Sequence, residues 1–222
     1  MRKIGVLGGS FDPIHFGHLR SAEEVREACT LDRVYFVPAA NPPHKPERQL
    51  ADGRARLAMV ELAIAGNPFF RASSMEIDRG GVSYSVDTLA SFSAIEPGAA
   101  LFFIVGIDAF RDMQTWRDTE RIFELASLVV TSRPPAAADT SIAHLPVAAR
   151  ESFCYDPSTL SHRHRSGNVI RFLPITGIDV SATAIRRRAC HGQSIRYLVP
   201  PAVEHFIAEH GLYLQHSGDF TG

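Results

Sequence analysis

Five short apolar runs punctuate the chain, at residues 4–7, 34–37, 101–105, 128–131 and 169–173, each bounded by polar or turn-forming residues. They are rich in Val, Ile, Leu and Phe, the pattern of buried strands. Residues 69–77 supply one further strand candidate. Between these runs, apolar positions recur at helical spacing over residues 16–29, 53–65, 84–95 and 119–126; in the first, Leu19, Ala22 and Val25 share one side. Continuous apolar strands alternating with helices predict an α/β fold, namely a Rossmann-like, doubly wound, mostly parallel sheet with helices on both faces. Two more short helices, at about 181–190 and 200–209, form a small C-terminal helical appendage. The expected organisation is an α/β domain over 1–178, a C-terminal helical segment over 179–214 and a tail over 215–222. Residues 38–53 read as a polar, proline-rich loop and 133–168 as a long irregular stretch. Sheets of this kind bind ligands beyond the carboxyl ends of their strands, where strand order reverses.

Composition narrows the class without choosing a function. With 222 residues, 45% hydrophobic and 21% charged, the chain is an ordinary globular one with room for a sizeable core. A formal charge of -1 argues against a general nucleic-acid binder. Charge is nevertheless clustered: His162 to Arg165, Arg171 and Arg186 to Arg188 share the 162–188 region with a single acid, Asp179. That region is either a solvated face or part of an anion site. Cys29, Cys154 and Cys190 follow no metal-ligand spacing and fit a reducing compartment. Too few apolar residues follow Met1-Arg2-Lys3 for a secretory signal, and no stretch reaches membrane-span length. The expectation is a cytoplasmic protein with neither membrane nor nucleic-acid partners. Homo-oligomers remain open.

The chemistry concentrates after the first strand, in Gly8-Gly9-Ser10-Phe11-Asp12-Pro13-Ile14-His15-Phe16-Gly17-His18-Leu19. Glycines at a strand-to-helix crossover let the backbone approach a bulky anion, and the free N–H groups of the helix start point at it. His15 and His18 are three residues apart, which puts both rings on one side of the first helical turn. The segment suits a polyphosphate. It is not the G-x-G-x-x-G dinucleotide turn, and no P-loop is present. A second candidate anion site is 179–186, where Ser181 can cap a helix and Arg186 lies about one turn on.

The H-x-G-H segment with its G-G-S-F-D-P lead resembles the nucleotidyltransferases related to class I aminoacyl-tRNA synthetases, whose motif binds the phosphates of ATP. Asp179 to Arg186 resembles their I-S-S-T-x-x-R segment, with Ala182 standing where a second hydroxyl is usual. Four further segments resemble the bacterial nicotinate-nucleotide adenylyltransferases. These are Asn41-Pro42-Pro43-His44-Lys45, Gly81 to Leu89, Gly106-Ile107-Asp108 with Trp116, and Ser132-Arg133-Pro134. The ending Ser194 to Pro201 fits as well, so the resemblance covers about residues 1–214.

The resemblance implies transfer of AMP from ATP to nicotinate mononucleotide, by direct in-line attack and with release of pyrophosphate. His15 and His18 are the implied catalytic groups. Gly8, Gly9, Ser10, Phe11, Gly17, Lys45, Ser181, Thr183 and Arg186 would hold ATP and its phosphates, so that the C-terminal segment completes the ATP site. Ser83, Tyr84, Thr88, Asp108, Trp116 and Arg133 would hold nicotinate mononucleotide, with Trp116 suited to stacking on a flat pyridine ring. Mg²⁺ is the implied cofactor, carried mainly by ATP oxygens and water, with no metal ligands assigned to the protein. Asp12 is left open between capping its turn and holding Mg²⁺ through water. Asp108 is open between ribose and a metal-bound water, and His44 between phosphate and a plain loop role. The histidines outside the motifs are read as surface or structural. Pantetheine-phosphate and nicotinamide mononucleotide adenylyltransferases share the phosphate motifs, and a non-catalytic nucleotide sensor is the reading from a different class.

Overall fold

In chain order the elements are β1 (Lys3–Gly9), α1 (Phe16–Cys29), β2 (Arg33–Pro38), α2 (Gly53–Ile64), β3 (Phe70–Ala72), α3 (Met75–Arg79) and α4 (Ser85–Ile95). There follow β4 (Ala100–Gly106), α5 (Ile107–Arg111), a 3₁₀ turn (Met113–Thr115), α6 (Thr119–Leu125), β5 (Ser127–Ser132) and α7 (Val147–Arg150). The chain ends in β6 (Phe153–Asp156), β7 (Ser161–His164), β8 (Val169–Pro174), α8 (Ala182–Cys190) and α9 (Pro201–Glu209). The computed structural model describes residues 1–41, 50–133 and 141–214.

One eight-stranded sheet runs in the order β3-β2-β1-β4-β5-β8-β7-β6. The first six strands of that order are parallel, and β7 and β6 add an antiparallel edge. The expected α/β architecture is therefore the observed one. Strand alternation sends successive side chains to opposite faces. On β4, Leu101, Phe103 and Val105 pack with α4 and α6 residues such as Leu89, Phe92, Ile122 and Phe123. Ile104 faces the other way, into a core with Ala22 and Val25 of α1 and Met59 and Val60 of α2. Val180, Ile185, Ile195, Val199, Val203 and Ile207 bury in that same second core, so the C-terminal helices share the packing of the sheet.

Two expectations are corrected. Residues 69–77 do not make one strand: β3 stops at Ala72, and Ser74 precedes helix α3. The stretch 133–168 is not irregular throughout, because β6 and β7 pair there, with Cys154 opposite Arg163 and Tyr155 opposite His162. Strand β7 reads Ser-His-Arg-His, a polar edge sequence that carries no apolar run.

Sheet order reverses between β1 and β4, and the crevice that forms there is the expected ligand position for an open α/β sheet. No helix among the described residues is long and apolar enough to cross a membrane.

Candidate active site

The crevice is a cleft of about 740 Å³, within the usual range for small-molecule sites. Its walls include Gly8, Gly9 and Ser10 from the end of β1, Gly17, His18 and Ser21 from α1, and Phe103 to Gly106 from β4. Opposite lie Glu76, Ser83, Tyr84 and Ser85, with Trp116, Arg117 and Arg133 closing the far side. A Cβ on Gly8 would meet nothing within 4 Å, so its backbone faces open space. Gly17 is glycine for a different reason. A Cβ there would sit 3.0 Å from the His15 ring and 3.1 Å from Val180, so the bare backbone lets the C-terminal segment lie against the start of α1.

The two histidines are stacked, with ring centroids 3.7 Å apart and planes 24° from parallel. His18 Nδ1 accepts the His15 backbone N–H at 3.3 Å. In the neutral ring this bond leaves the proton on Nε2, and the ring lines the cleft. Phe11 is buried beneath it, its ring edge-on to His18 at 5.1 Å, and its backbone takes the left-handed conformation at φ 44°. His15 lies behind His18 and is buried, with Nδ1 lacking a hydrogen-bond partner among the described residues.

Burial, and next the charge of Arg133, push the His15 pKa down to about 4, so the ring is neutral at pH 7. The folded state therefore binds fewer protons than the unfolded one between about pH 4 and 6.5. Stability from this group is complete above pH 6.5 and is lost as pH falls through that window, by about 3 kcal/mol in all. Denaturant unfolding of the protein and of His15→Gln at pH 7 and pH 4.5 checks this. The acid-side loss is expected to shrink in the variant.

Under the opposite wall lies a buried polar network. The Thr88 hydroxyl donates to Glu76 Oε1, and Arg79 donates to the same hydroxyl at 3.3 Å. Burial pushes the Glu76 carboxyl up, against the pull of the Ser83 and Thr88 hydroxyls and of Arg79 and Arg56. Ser83 Oγ accepts the Ala40 N–H at 2.9 Å, tying this wall to the end of β2. The Arg117 guanidinium sits 4.8 Å over the Tyr84 ring, and Trp116 packs at 6.1 Å from Phe103.

Arg56, a residue the motifs did not single out, holds the floor together. It is 2% exposed and donates to three carbonyls, those of Ser10 at 2.7 Å, Ala51 at 2.9 Å and Ala40 at 3.3 Å. Its sequence signal is a charge on the buried stripe of α2, among Leu57, Val60 and Ile64. Asp12 is fully buried; its Oδ1 accepts the Tyr213 hydroxyl at 2.7 Å and the Ala51 N–H at 3.2 Å. It thereby ties the loop to two distant segments. Arg186 Nη1 donates to the Asp12 carbonyl at 2.8 Å, and Ser181 caps α8 through the Ala184 N–H at 3.2 Å.

Of the residues singled out in the sequence, Gly8, Gly9, Ser10, Gly17, His18, Ser83, Tyr84, Trp116 and Arg133 share the cleft walls. Phe11, His15 and Thr88 are buried, outside the walls. Ser181 and Thr183 sit at the start of α8, where Thr183 Oγ1 accepts from Arg186 at 3.4 Å. Asp108 lies outside the walls, its side chain 94% exposed and beside Arg111. His44 and Lys45 lie outside the described residues.

The family model described as cytidylyltransferase-like matches residues 6–188. A relative from Syntrophotalea carbinolica, named as a probable nicotinate-nucleotide adenylyltransferase, is 50% identical over 214 residues, covering 95% of this chain and 97% of its own. Another of the same name, from Citrifermentans bemidjiense, is 49% identical over 212 residues, covering 96% and 98%. The chain belongs to the nicotinate-nucleotide adenylyltransferase family. The fold agrees with solved structures. The Plasmodium falciparum nicotinic acid mononucleotide adenylyltransferase complexed with NaAD superposes with a TM-score of 0.73 at 17% identity, covering 96% of this chain and 98% of that one. A nicotinate-nucleotide adenylyltransferase structure from Vibrio parahaemolyticus gives 0.66 at 19% identity, covering 97% and 98%. Family membership and the placement of the cleft at the strand reversal agree, and the fold class expected from the apolar pattern is the one these structures share.

Proposed function

We propose that this cleft transfers AMP from ATP to nicotinate mononucleotide, giving nicotinate adenine dinucleotide and pyrophosphate. The observation that carries the reading is the pairing of two unlike walls in one cleft. Gly8 to Ser10 and His18 offer backbone and ring donors suited to phosphate, and the Tyr84–Trp116 side offers flat apolar surface beside a cation. Arg117 adds positive charge at the aromatic end, which suits a ring bearing a carboxylate over one bearing an amide.

In the reaction a phosphate oxygen of the mononucleotide attacks the α-phosphorus of ATP. The bond from that phosphorus to the bridging oxygen breaks, and pyrophosphate leaves with the electron pair. No covalent enzyme intermediate is needed. The protein's work is to align the two phosphates and to stabilise the charge that builds between them. His18 would donate to the α-phosphate or the bridging oxygen, His15 would hold the His18 ring in place, and Ser10 with Arg186 would take phosphate oxygens. ATP is read as arriving as its Mg²⁺ complex, with phosphate oxygens and water as the ligands.

Pyrophosphate release with ATP and one acceptor at a time tests the proposal. Nicotinate mononucleotide is expected to support turnover at least about tenfold better in kcat/KM than nicotinamide mononucleotide or phosphopantetheine. A preference for either of those two acceptors, or no release with any, would overturn it.

A further inference from the structure

We infer that Asp12 and Tyr213 are positioning residues that hold Arg186 for the departing pyrophosphate, an inference that rests on the reading of Arg186 just given. The Asp12 carboxylate is fully buried, yet its Oδ2 has no hydrogen-bond partner among the described residues. That oxygen lies 3.7 Å from Arg186 Nη1, the same nitrogen that donates to the Asp12 carbonyl at 2.8 Å. Oδ1 is engaged by the Tyr213 hydroxyl at 2.7 Å and the Ala51 N–H at 3.2 Å, which fixes the plane of the group and turns Oδ2 toward the guanidinium.

If the sole purpose were to tie the loop to the C-terminal segment, a carboxylate would be a poor choice. Burying an acid with an incomplete set of bonds is costly, and an amide or apolar group packs there at less expense. What the carboxylate adds is negative charge beside Arg186. The guanidinium has five N–H donors, of which the Asp12 carbonyl and Thr183 Oγ1 take one each. Its side chain keeps 25% exposure, so it can meet phosphate oxygens without leaving Asp12. Tyr213 extends the arrangement by 201 residues of sequence, from the loop after β1 to a turn that follows α9. Burial and the Asp12 charge raise the phenol pKa well above its ordinary value, which keeps the hydroxyl a donor.

Asp12→Asn keeps the shape and one acceptor oxygen but replaces the charge with an amide. Steady-state kinetics of this variant should show KM for ATP raised roughly tenfold or more, with KM for nicotinate mononucleotide changed less than about twofold. Added to Arg186→Gln, it should cost nothing further. Tyr213→Phe, which deletes only the hydroxyl, should move KM for ATP in the same direction by a smaller factor, and it carries the same cycle if Asp12→Asn does not fold. Arg186→Gln with unchanged ATP kinetics would remove the reading of Arg186. Normal Arg186 sensitivity with additive Asp12 or Tyr213 effects, or with equal losses for both substrates, would overturn the positioning role alone.

Discussion

Replacing His18 with alanine is expected to lower kcat by roughly 10²–10³ and to leave KM for either substrate within a small factor. The expectation follows from how the ring is held. Its Nδ1 is occupied by the His15 N–H, its face is covered by the His15 ring, and the Phe11 ring packs against it at 5.1 Å. Three restraints hold the ring already oriented, so little reorganisation is needed as charge builds on the phosphate. Such a donor is worth most in the transition state and little in the bound ground state. Pyrophosphate release at saturating substrates measures kcat, and circular dichroism verifies that the variant is folded. Near-normal turnover would remove His18 from the chemistry. Unchanged kcat with raised KM would reduce it to a binding contact.

Arg56→Leu should show the largest loss of stability of any single substitution in the site, about 3–5 kcal/mol. Leucine fills much of the space but leaves the carbonyls of Ser10, Ala40 and Ala51 without their donor in the interior. It also removes a positive charge that lies near two buried acids, Asp12 in the loop after β1 and Glu76 on α3. Burial pushes the Arg56 pKa below its ordinary value, yet it stays protonated at any working pH. Arg56→Lys keeps the charge but cannot reach three carbonyls at once, so an intermediate loss is expected. Urea unfolding of the three proteins at pH 7 decides the order.

The parallel part of the sheet was legible because strands buried on both faces read as unbroken apolar runs. Residues 4–7, 101–105 and 128–131 need no other signal. What the pattern concealed is the antiparallel edge. Strand β7, with its His and Arg side chains, is held by ladder bonds to β6 and β8 and so needs no apolar pattern of its own. Helix α3 was hidden because Phe70, Met75 and Ile77 keep the local sequence apolar across the turn at Ser73-Ser74, where the period changes. In the site, a strand-to-helix loop with glycines announces anion binding locally, so Gly8 to Ser10 and His18 could be picked out from sequence. Arg56, Glu76 and Tyr213 could not, because each gains its meaning from a partner far along the chain. The Asp12–Tyr213 bond spans 201 residues, a relation that no local spacing encodes. Arg56 left only a faint trace, a charge where α2 should be apolar.

The close approach at Gly17 has a consequence for how the protein comes into being. Phe16 N–H donates to the Leu198 carbonyl at 3.3 Å, Val180 Cγ1 lies 3.1 Å from where a Cβ of residue 17 would be, and Tyr213 reaches Asp12. The loop after β1 thus waits for residues 180–213 to be synthesised before its geometry is complete. A nascent chain stopped short of residue 213 would present the glycines and histidines without the frame that aligns them. Partly made copies should therefore be unable to consume nucleotide, and activity should appear in one late step of synthesis instead of growing with chain length.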